Sequence, residues 1–181
     1  MTKSLRLLQV FINYASFDQT VVENLYDALK SKGVDVWFDR KSLLAGQRWR
    51  DEISKAITKS DIVIVCLSKK AIDKDGFVQK EIKFALDKAD EKSEGGIYII
   101  PVRLEKCNIP TRLAEYQWVD FFENDGFERL IYSLHSYAQK LKISLPLISQ
   151  EDEFSSRKNS TFIEKRLAKT ELVKGRKDLN T

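Results

Sequence analysis

One carboxylate near the middle of the chain is flanked by aromatic side chains at helical spacing. Phe77, Glu81 and Phe84 follow the i, i+4, i+7 pattern of one helix stripe, beside an apolar stripe at positions 78, 82, 85, 86 and 89. A carboxylate in that setting is partly desolvated, which raises its pKa and strengthens its interaction with a nearby cation. The same spacing also fits an ordinary solvated helix glutamate. Glu81 is therefore a candidate catalytic residue, and its surroundings decide between these two roles.

The chain lacks the motifs of several common enzyme classes. The first apolar run is not followed by Gly-x-Gly-x-x-Gly, and the sequence contains no Gly-x-x-x-x-Gly-Lys. The only histidine is His135, so a histidine-based triad lacks its parts. The paired acids of a phospho-receiver are also missing, because residues 13–16 read Asn-Tyr-Ala-Ser. Any chemistry must use a sparser set of side chains.

Alternating strands and helices must position these residues. Short β-prone apolar runs predict strands at residues 7–14, 34–38, 61–67 and 97–104, and residues 117–122 can form a short edge strand. Helical periodicity predicts a helix that ends at Gly33 and further helices at 47–59, 77–91 and 126–141. The spacing of Ser16 and Gln19 predicts a capping box at the first helix. Residues 39–48 and 68–76 are predicted loops.

This alternation predicts an α/β fold, a doubly wound parallel sheet with helices on both faces. In such sheets ligands bind at the carboxyl ends of the strands, near the point where the strand order reverses. Tyr14, the loops 39–48 and 68–76 and the approach to Glu81 all fall at those ends. Loop 39–48 exceeds the usual length of roughly 2 to 6 residues for such a connection, which is typical of a functional loop.

Length and composition predict one domain followed by a polar tail. We place the domain at residues 1–143 and a linker or tail at 144–181, in which residues 161–173 have the pattern of a marginal amphipathic helix. Lys and Arg number 31 against 27 Asp and Glu, a net charge of +4 that is too small and too evenly spread to predict a nucleic-acid surface.

Cysteine usage and hydropathy indicate the compartment. Cys66 and Cys107 do not make a disulfide framework, and neither is predicted to bind a metal. Residues 1–8 are basic and then only briefly apolar, so we expect neither a signal peptide nor a membrane span. The sequence predicts a soluble, cytoplasmic protein without a metal.

Five segments carry a resemblance to a known family. They read VFINYASFD at 10–18, GVDVWFD at 33–39, LLAG at 43–46, SDIVIVCLS at 60–68 and FVQKE at 77–81. In this order they resemble the signature boxes of a Toll/interleukin-1 receptor (TIR) domain, over about residues 7–137. The resemblance implies a flavodoxin-like five-stranded sheet. In the NAD-cleaving, bacterial-type branch it also implies a catalytic glutamate that ends an aromatic-x-x-x-Glu motif, here Phe77 and Glu81.

The chain departs from that branch at two positions. Many TIR enzymes have Trp at the position of Phe77 and Ser at that of Asn13. Phenylalanine keeps an aromatic wall and loses an indole N–H. Adaptor TIR domains often lack the glutamate, so the presence of Glu81 favours an enzyme.

The resemblance makes NAD+ the substrate, with no separate cofactor. Cleavage of the nicotinamide–ribose bond needs no general acid, because the pyridinium leaves as a neutral group, whereas ordinary glycosidases use a second carboxylate as proton donor. One carboxylate can hold the ribose hydroxyls and offset the positive charge that develops on the ribose. Glu81 is the predicted catalytic residue.

Other residues receive predicted contacts with the substrate. Tyr14 ends the first strand, where it either borders the nicotinamide or ribose or is a core residue, and Ala15 follows it. Ser68 either touches ribose or caps a helix, and Phe77 and Trp49 are aromatic walls near the substrate. Arg40 and Arg48 either meet the pyrophosphate or form a solvated basic loop. Trp37 is predicted to be core.

The predicted function is an NAD+ glycohydrolase, or a cyclase variant of it, that becomes active on self-association and serves as a defence effector. The resemblance makes loop 39–48 the self-association surface, with Asp39, Leu43, Leu44 and Gly46, and Asp39 and Gly46 shaping the loop. The alternative is a non-catalytic interaction module that assembles signalling complexes through the same loop. The tail can join a sensor domain or a partner protein. The product, the trigger and the choice between NAD and NADP stay open.

Overall fold

Parallel pairing organises the chain. In a computed structural model, the described residues are 6–73, 77–91, 98–143 and 145, without the side chains of residues 40, 73, 77–81, 90 and 91. Within them five strands form one sheet of order β2-β1-β3-β4-β5 in which every pair is parallel. The strands are β1 (Gln9–Asn13), β2 (Asp35–Trp37), β3 (Ile62–Leu67), β4 (Tyr98–Arg103) and β5 (Val119–Asp120). The predicted doubly wound, flavodoxin-like fold is confirmed.

Helices cover the sheet in the described part of the chain. They are α1 (Gln19–Ser31), α2 (Asp39–Ser42), α3 (Trp49–Lys59), α4 (Lys69–Asp73), α5 (Phe77–Glu91) and α6 (Gly126–Lys140), with 3-10 turns at Ser16–Asp18 and Thr111–Leu113. No helix of the described ranges is long and apolar enough to cross a membrane. Apart from Leu145, the predicted tail 144–181 lies outside the described residues, so the domain boundary and the tail stay predictions.

The core lies against both faces of β3, all six residues of which are buried. On one face Phe11, Val63 and Val65 pack in one cluster with apolar residues of α3 and α5, among them Ile57 and Leu86. Burial of each such side chain stabilises the fold by roughly 1.5–3 kcal/mol. The apolar stripes of α3 and α5 are therefore what fixes these helices on the sheet. Trp37, predicted to be core, stacks on Phe11 with ring centroids 4.9 Å apart.

The predicted capping box at Ser16 is wrong. A 3-10 turn precedes α1, and neither element has a side-chain hydrogen bond at its N-cap. The side chain of Gln19, which the box requires, donates instead to Glu23 Oε1 at 2.9 Å, one turn further along α1. The carboxylate of Asp18, at the N-cap of α1, accepts a hydrogen bond from Ser68 Oγ at 2.7 Å.

Both predicted loops contain a single helical turn. In loop 39–48 the amides of Lys41 and Ser42 donate to the carbonyl of Phe38 at 3.0 and 2.9 Å, and Ser42 Oγ accepts from the amide of Phe38, which closes α2. In loop 68–76 the turn is α4. Polar composition correctly excluded a strand in these segments but did not exclude a helix closed by serine side chains.

The spacing of Trp49, Ile53, Ala56 and Ile57 predicts one apolar helix face, and for Trp49 this prediction is wrong. The tryptophan is 40% exposed at the first residue of α3, and the guanidinium of Arg50 lies 5.0 Å from its ring centroid. The helix begins two residues later than predicted, and its buried residues are Ile53, Ala56 and Ile57.

An arginine joins the last two strands. The guanidinium of Arg103 on β4 forms a two-fold contact with the carboxylate of Asp120 on β5, with Nη2 donating to Oδ2 at 2.7 Å, and its Nη1 donates to the carbonyl of Cys107 at 2.8 Å. Both side chains are less than one fifth exposed. Trp118 and Phe122 place their rings 5.5 and 5.8 Å from the same guanidinium. Because β5 has only two residues, this contact replaces the backbone pairing that a longer strand would supply.

Asp120→Asn is expected to lower the free energy of unfolding by about 2 kcal/mol at pH 7, because it removes the charge of a largely buried ion pair. The contact with Arg103 holds the pKa of Asp120 below its usual range. A carboxyl whose pKa is lower in the folded state adds stability that is present above the unfolded pKa, about 4, and lost as the pH falls toward the folded pKa. Urea denaturation at pH 7 and about pH 3 measures the difference between the two proteins, which should shrink in acid.

Asp51→Asn is the matched control, since the ion pair of Asp51 with Arg48 is exposed and its loss should change stability by less than about 0.5 kcal/mol. A loss for Asp120→Asn that has the same size at both pH values would contradict this account.

Candidate functional site

The strand order reverses between β1 and β3. From β1 the chain turns to β2 on one side, and β3 then pairs on the other side of β1. The connections after β1 and β3 therefore diverge at the carboxyl edge of the sheet, the usual ligand position in this architecture. We call Tyr14, Ala15, Asp18, Asp39 and Ser68 at this edge the switch-point cluster.

Tyr14 is held by the connection after β2. Its hydroxyl donates to Asp39 Oδ1 at 2.7 Å, and its ring centroid lies 5.1 Å from that of Phe38. The side chain is half-buried. The ring of Tyr14 thus packs on the core, which is the core alternative, while the residue stands at the carboxyl end of β1. A contact of Tyr14 with nicotinamide stays a prediction. The neighbouring Ala15 is buried, and its carbonyl accepts from the amide of Asp18 at 2.8 Å.

Ser68 ties the connection after β3 to the connection after β1. It is 3% exposed, donates to Asp18 Oδ2 at 2.7 Å and accepts from the amide of Ala71 at 3.2 Å. The second contact makes Ser68 the N-cap of α4, which is the capping alternative. A contact of Ser68 with ribose stays a prediction. The fully buried Cys66 lies nearby on β3, where burial, with the Asp18 charge, raises the pKa of the thiol, so that it is not a nucleophile.

Glu81 lies on helix α5, which follows β3 and α4 along the chain. The helix runs from Phe77 to Glu91 and buries Ile82, Ala85 and Leu86, as the predicted apolar stripe requires. Phe84 is half-buried against the apolar core cluster between the sheet and helices α3 and α5. The side chains of Phe77 and Glu81 lie outside the described residues, so their predicted roles stay predictions.

Loop 39–48 has a fastened base and an exposed tip. Leu44 is 71% exposed, Leu43 is half-buried, and Gly46 has φ +88°, a conformation that favours glycine. Arg48 is 89% exposed and forms an ion pair with Asp51 at 3.4 Å, which fits a solvated basic loop. The side chain of Arg40 lies outside the described residues.

The role of Asp18 was not predicted. Asp18 lies between the two residues of the predicted capping box, and its bond to Ser68 joins positions fifty residues apart. A signal for it exists, because Ser68 and Asp18 both follow strands that are neighbours in a parallel sheet. The exact pairing depends on register, which composition does not give.

The described residues contain no group of three or more His, Cys, Asp or Glu arranged to hold a metal ion. His135 is half-buried on α6, where burial lowers its pKa and keeps the imidazole neutral near pH 7. The switch-point cluster itself offers the carboxylates of Asp18 and Asp39, the hydroxyls of Tyr14 and Ser68, and the ring of Tyr14.

Comparison with known proteins decides the family. A family model described as TIR domain matches residues 10–131, about two thirds of the chain. The chain belongs to the TIR domain family. The TIR domain of the Toll-related receptor TRR-2 from Hydra magnipapillata superposes with a TM-score of 0.58 at 21% identity, covering 70% of this chain and 97% of that one. This likeness supports the fold.

Two curated proteins match this TIR domain. Uncharacterized protein y4cD of Sinorhizobium fredii is 29% identical over 139 residues, which are 75% of this chain and 21% of that protein. The NAD(+) hydrolase TcpA of a Theionarchaea archaeon is 38% identical over 82 residues, 41% of this chain and 25% of that protein. The chain thus spans about a fifth to a quarter of the length of these relatives.

Ser68→Ala is expected to lower the free energy of unfolding by about 1–2 kcal/mol, because it removes the cap of α4 and the donor to Asp18. Thermal or urea denaturation measures the change. Ser133→Ala is the matched control: the Ser133 hydroxyl donates to the carbonyl of Arg129 on the surface of α6, and its loss should cost less than about 0.5 kcal/mol. Equal losses for the two variants would show that the Ser68 contacts add nothing special.

Proposed function

We propose that this TIR domain is an NAD+ glycohydrolase in which Glu81 is the catalytic carboxylate. The observation that carries the proposal is the bond between Ser68 and Asp18, which ties the connection leading to the helix of Glu81 to the connection that contains Tyr14. This arrangement lies at the strand-order reversal, where ligands of such folds bind. The name of the relative TcpA, an NAD(+) hydrolase, adds support.

The proposed reaction breaks the bond between C1 of the ribose and N1 of nicotinamide. The bonding electron pair goes to the ring nitrogen, so nicotinamide leaves neutral and the positive charge passes to the ribose. Glu81 offsets that charge and accepts hydrogen bonds from the ribose hydroxyls. Water then attacks C1 to give ADP-ribose and a proton, or a group of the same molecule attacks to give a cyclic product.

The other predicted contacts have separate parts in this proposal. Tyr14 and Phe77 border the nicotinamide and ribose, and Arg40 and Arg48 pair with the pyrophosphate. Depletion of NAD+ by this reaction is the kind of action that suits a defence effector. A sensor or partner joined through the tail 144–181 would supply the trigger.

Glu81→Gln is expected to lower nicotinamide release at least about 100-fold, because the amide keeps the size of the side chain and loses the charge that stabilises the ribose cation. The assay measures nicotinamide from NAD+ with the protein concentrated or crowded enough to associate. Asp87→Asn, on the exposed side of the same helix, is the matched control and should keep full activity. Unchanged release by Glu81→Gln would remove Glu81 from the mechanism.

The exposed loop tip favours a second candidate function. Leu44 and Trp49 present apolar surface to solvent at the tip and end of loop 39–48, as an association surface requires. A non-catalytic module that assembles signalling complexes would use the same surface. Absence of nicotinamide release even from fully associated protein would favour this candidate.

A surface at the opposite edge of the sheet is proposed to receive loop 39–48 of a second copy. A cavity of about 530 Å³ runs along α6 beside β5 and is lined by Trp118, Tyr132 and Tyr137 with the carboxylates of Asp125 and Glu128 and the guanidinium of Arg129. Its aromatic rings and surplus negative charge complement the apolar and basic loop, which contains Leu44 and Arg48 and leads to Arg50. Because the two surfaces occupy different edges, such contacts would add copies head to tail.

Charge reversal tests this contact. Arg50→Glu and Glu128→Arg are each expected to raise the concentration needed for self-association about tenfold, and the double variant should recover most of the loss. Light scattering or sedimentation measures association, and nicotinamide release should follow it. Lys30→Glu, the same change of charge on the exposed face of α1, is the control. A double variant that is worse than either single variant would contradict the pairing.

A further inference from the structure

A hydrogen bond fastens the base of loop 39–48 to the proposed substrate site. Helix α2 is closed by the amide of Leu43, which donates to the carbonyl of Asp39 at 2.8 Å. The side chain of Asp39 accepts from the hydroxyl of Tyr14 at 2.7 Å. Asp39 therefore belongs both to the loop and to the residues that stand at the carboxyl end of β1.

Lys41, in the same helical turn, contacts α1 instead. Lys41 Nζ lies 3.1 Å from a carboxylate oxygen of Asp27 and 4.5 Å from the ring centroid of Tyr26. These contacts hold the same helical turn without touching the hydroxyl of Tyr14. A change at Lys41 therefore removes contacts that anchor the loop and leaves the hydrogen bond between Tyr14 and Asp39 in place.

The tip of the loop makes hydrogen bonds within itself. The amide of Leu44 donates to Gln47 Oε1 at 2.7 Å, and the amide of Gln47 donates to the carbonyl of Leu44 at 3.1 Å. A partner that binds the exposed Leu44 therefore meets a closed turn. Because this turn follows α2 directly along the chain, a displacement of the tip acts on α2 and on the carboxylate of Asp39.

We propose that Asp39 is a positioning residue that couples self-association to substrate binding through the hydroxyl of Tyr14. The inference rests on the proposed function and adds to it the route by which association reaches the site. Movement of α2 when a second copy binds changes the orientation of the Tyr14 hydroxyl, which borders the nicotinamide and ribose. The bond is short and its acceptor is charged, so it transmits a shift of either partner.

Coupling between two sites is reciprocal. If association changes the affinity for NAD+ by some factor, saturating NAD+ must change the affinity of the copies for one another by the same factor. The coupling can therefore be measured without turnover. Removal of the hydrogen bond should abolish the effect in both directions, whichever partner is changed.

The experiment uses the full chain carrying Glu81→Gln, with NAD+ as the probe. Sedimentation or light scattering gives the concentration for half-maximal association with and without saturating NAD+. We expect NAD+ to lower this concentration about fivefold or more. Tyr14→Phe and Asp39→Ala should each reduce the factor to about one, and their combination should reduce it no further. Asp39→Asn keeps an acceptor in place and should restore most of the coupling.

Two controls separate this role from loosening of the fold. Lys41→Met removes the anchors to Asp27 and Tyr26, leaves the Tyr14 contact and should retain the coupling factor. The thermal midpoint of every variant shows that it is folded.

The proposal is overturned if NAD+ does not shift association of the Glu81→Gln chain, or if the shift persists in Tyr14→Phe or Asp39→Ala. Nicotinamide release by the chain with native Glu81 reports the proposed function independently. A chain that releases nicotinamide but shows no shift would keep the function and lose the coupling. A chain that shows the shift and releases no nicotinamide would keep the coupling and lose the hydrolase.

Discussion

The pairing of β1 with β3 is the constraint on which the rest of the structure depends. The register joins Val10 to Ile62 and Asn13 to Val65, so β1 ends while β3 continues for two more residues. This offset carries Ser68 past the end of β1 and into contact with Asp18 in the turn that follows. A slip of one residue would exchange the two faces of β3 and separate the two side chains. The register between β1 and β3 therefore sets the geometry of the switch-point cluster.

Two hydrogen bonds at the carboxyl edge then orient the side chains of the switch-point cluster. The Asp18 and Ser68 bond crosses from the first connection to the third, and the Tyr14 and Asp39 bond crosses from the first to the second. Each pair combines a hydroxyl donor with a carboxylate, the stronger class of hydrogen bond. Together they hold the connection after β1 from both sides. A site whose supporting side chains are fixed in this way loses less free energy in orienting a substrate.

Periodicity and apolar runs were sufficient for the architecture, but long-range contacts decided the details. The apolar run of β3 and the stripe of Ile82, Ala85 and Leu86 are local patterns, and the structure has both where they were expected. The turns α2 and α4 depend on the serines that close them, and Gln19, predicted to complete a capping box, bonds to Glu23 instead. The positions of Tyr14 and Ser68 at strand ends follow from a parallel sheet. Their partners do not, because register and side-chain pairing arise only in the folded chain.

Under the proposed function, the sparse chemistry of the site explains why association would matter. One carboxylate that faces a ribose cation in water gains only about 1 kcal/mol at 4 Å, and the gain rises several-fold at the lower effective dielectric of a protein surface. The described contacts at the carboxyl edge orient groups, and a neighbouring copy over loop 39–48 would add cover against water. Leaving-group departure needs no second acid, so exclusion of water and placement of charge are the remaining sources of rate. Under this proposal a TIR domain has its catalytic carboxylate in place but hydrolyses NAD+ slowly until another copy covers the site.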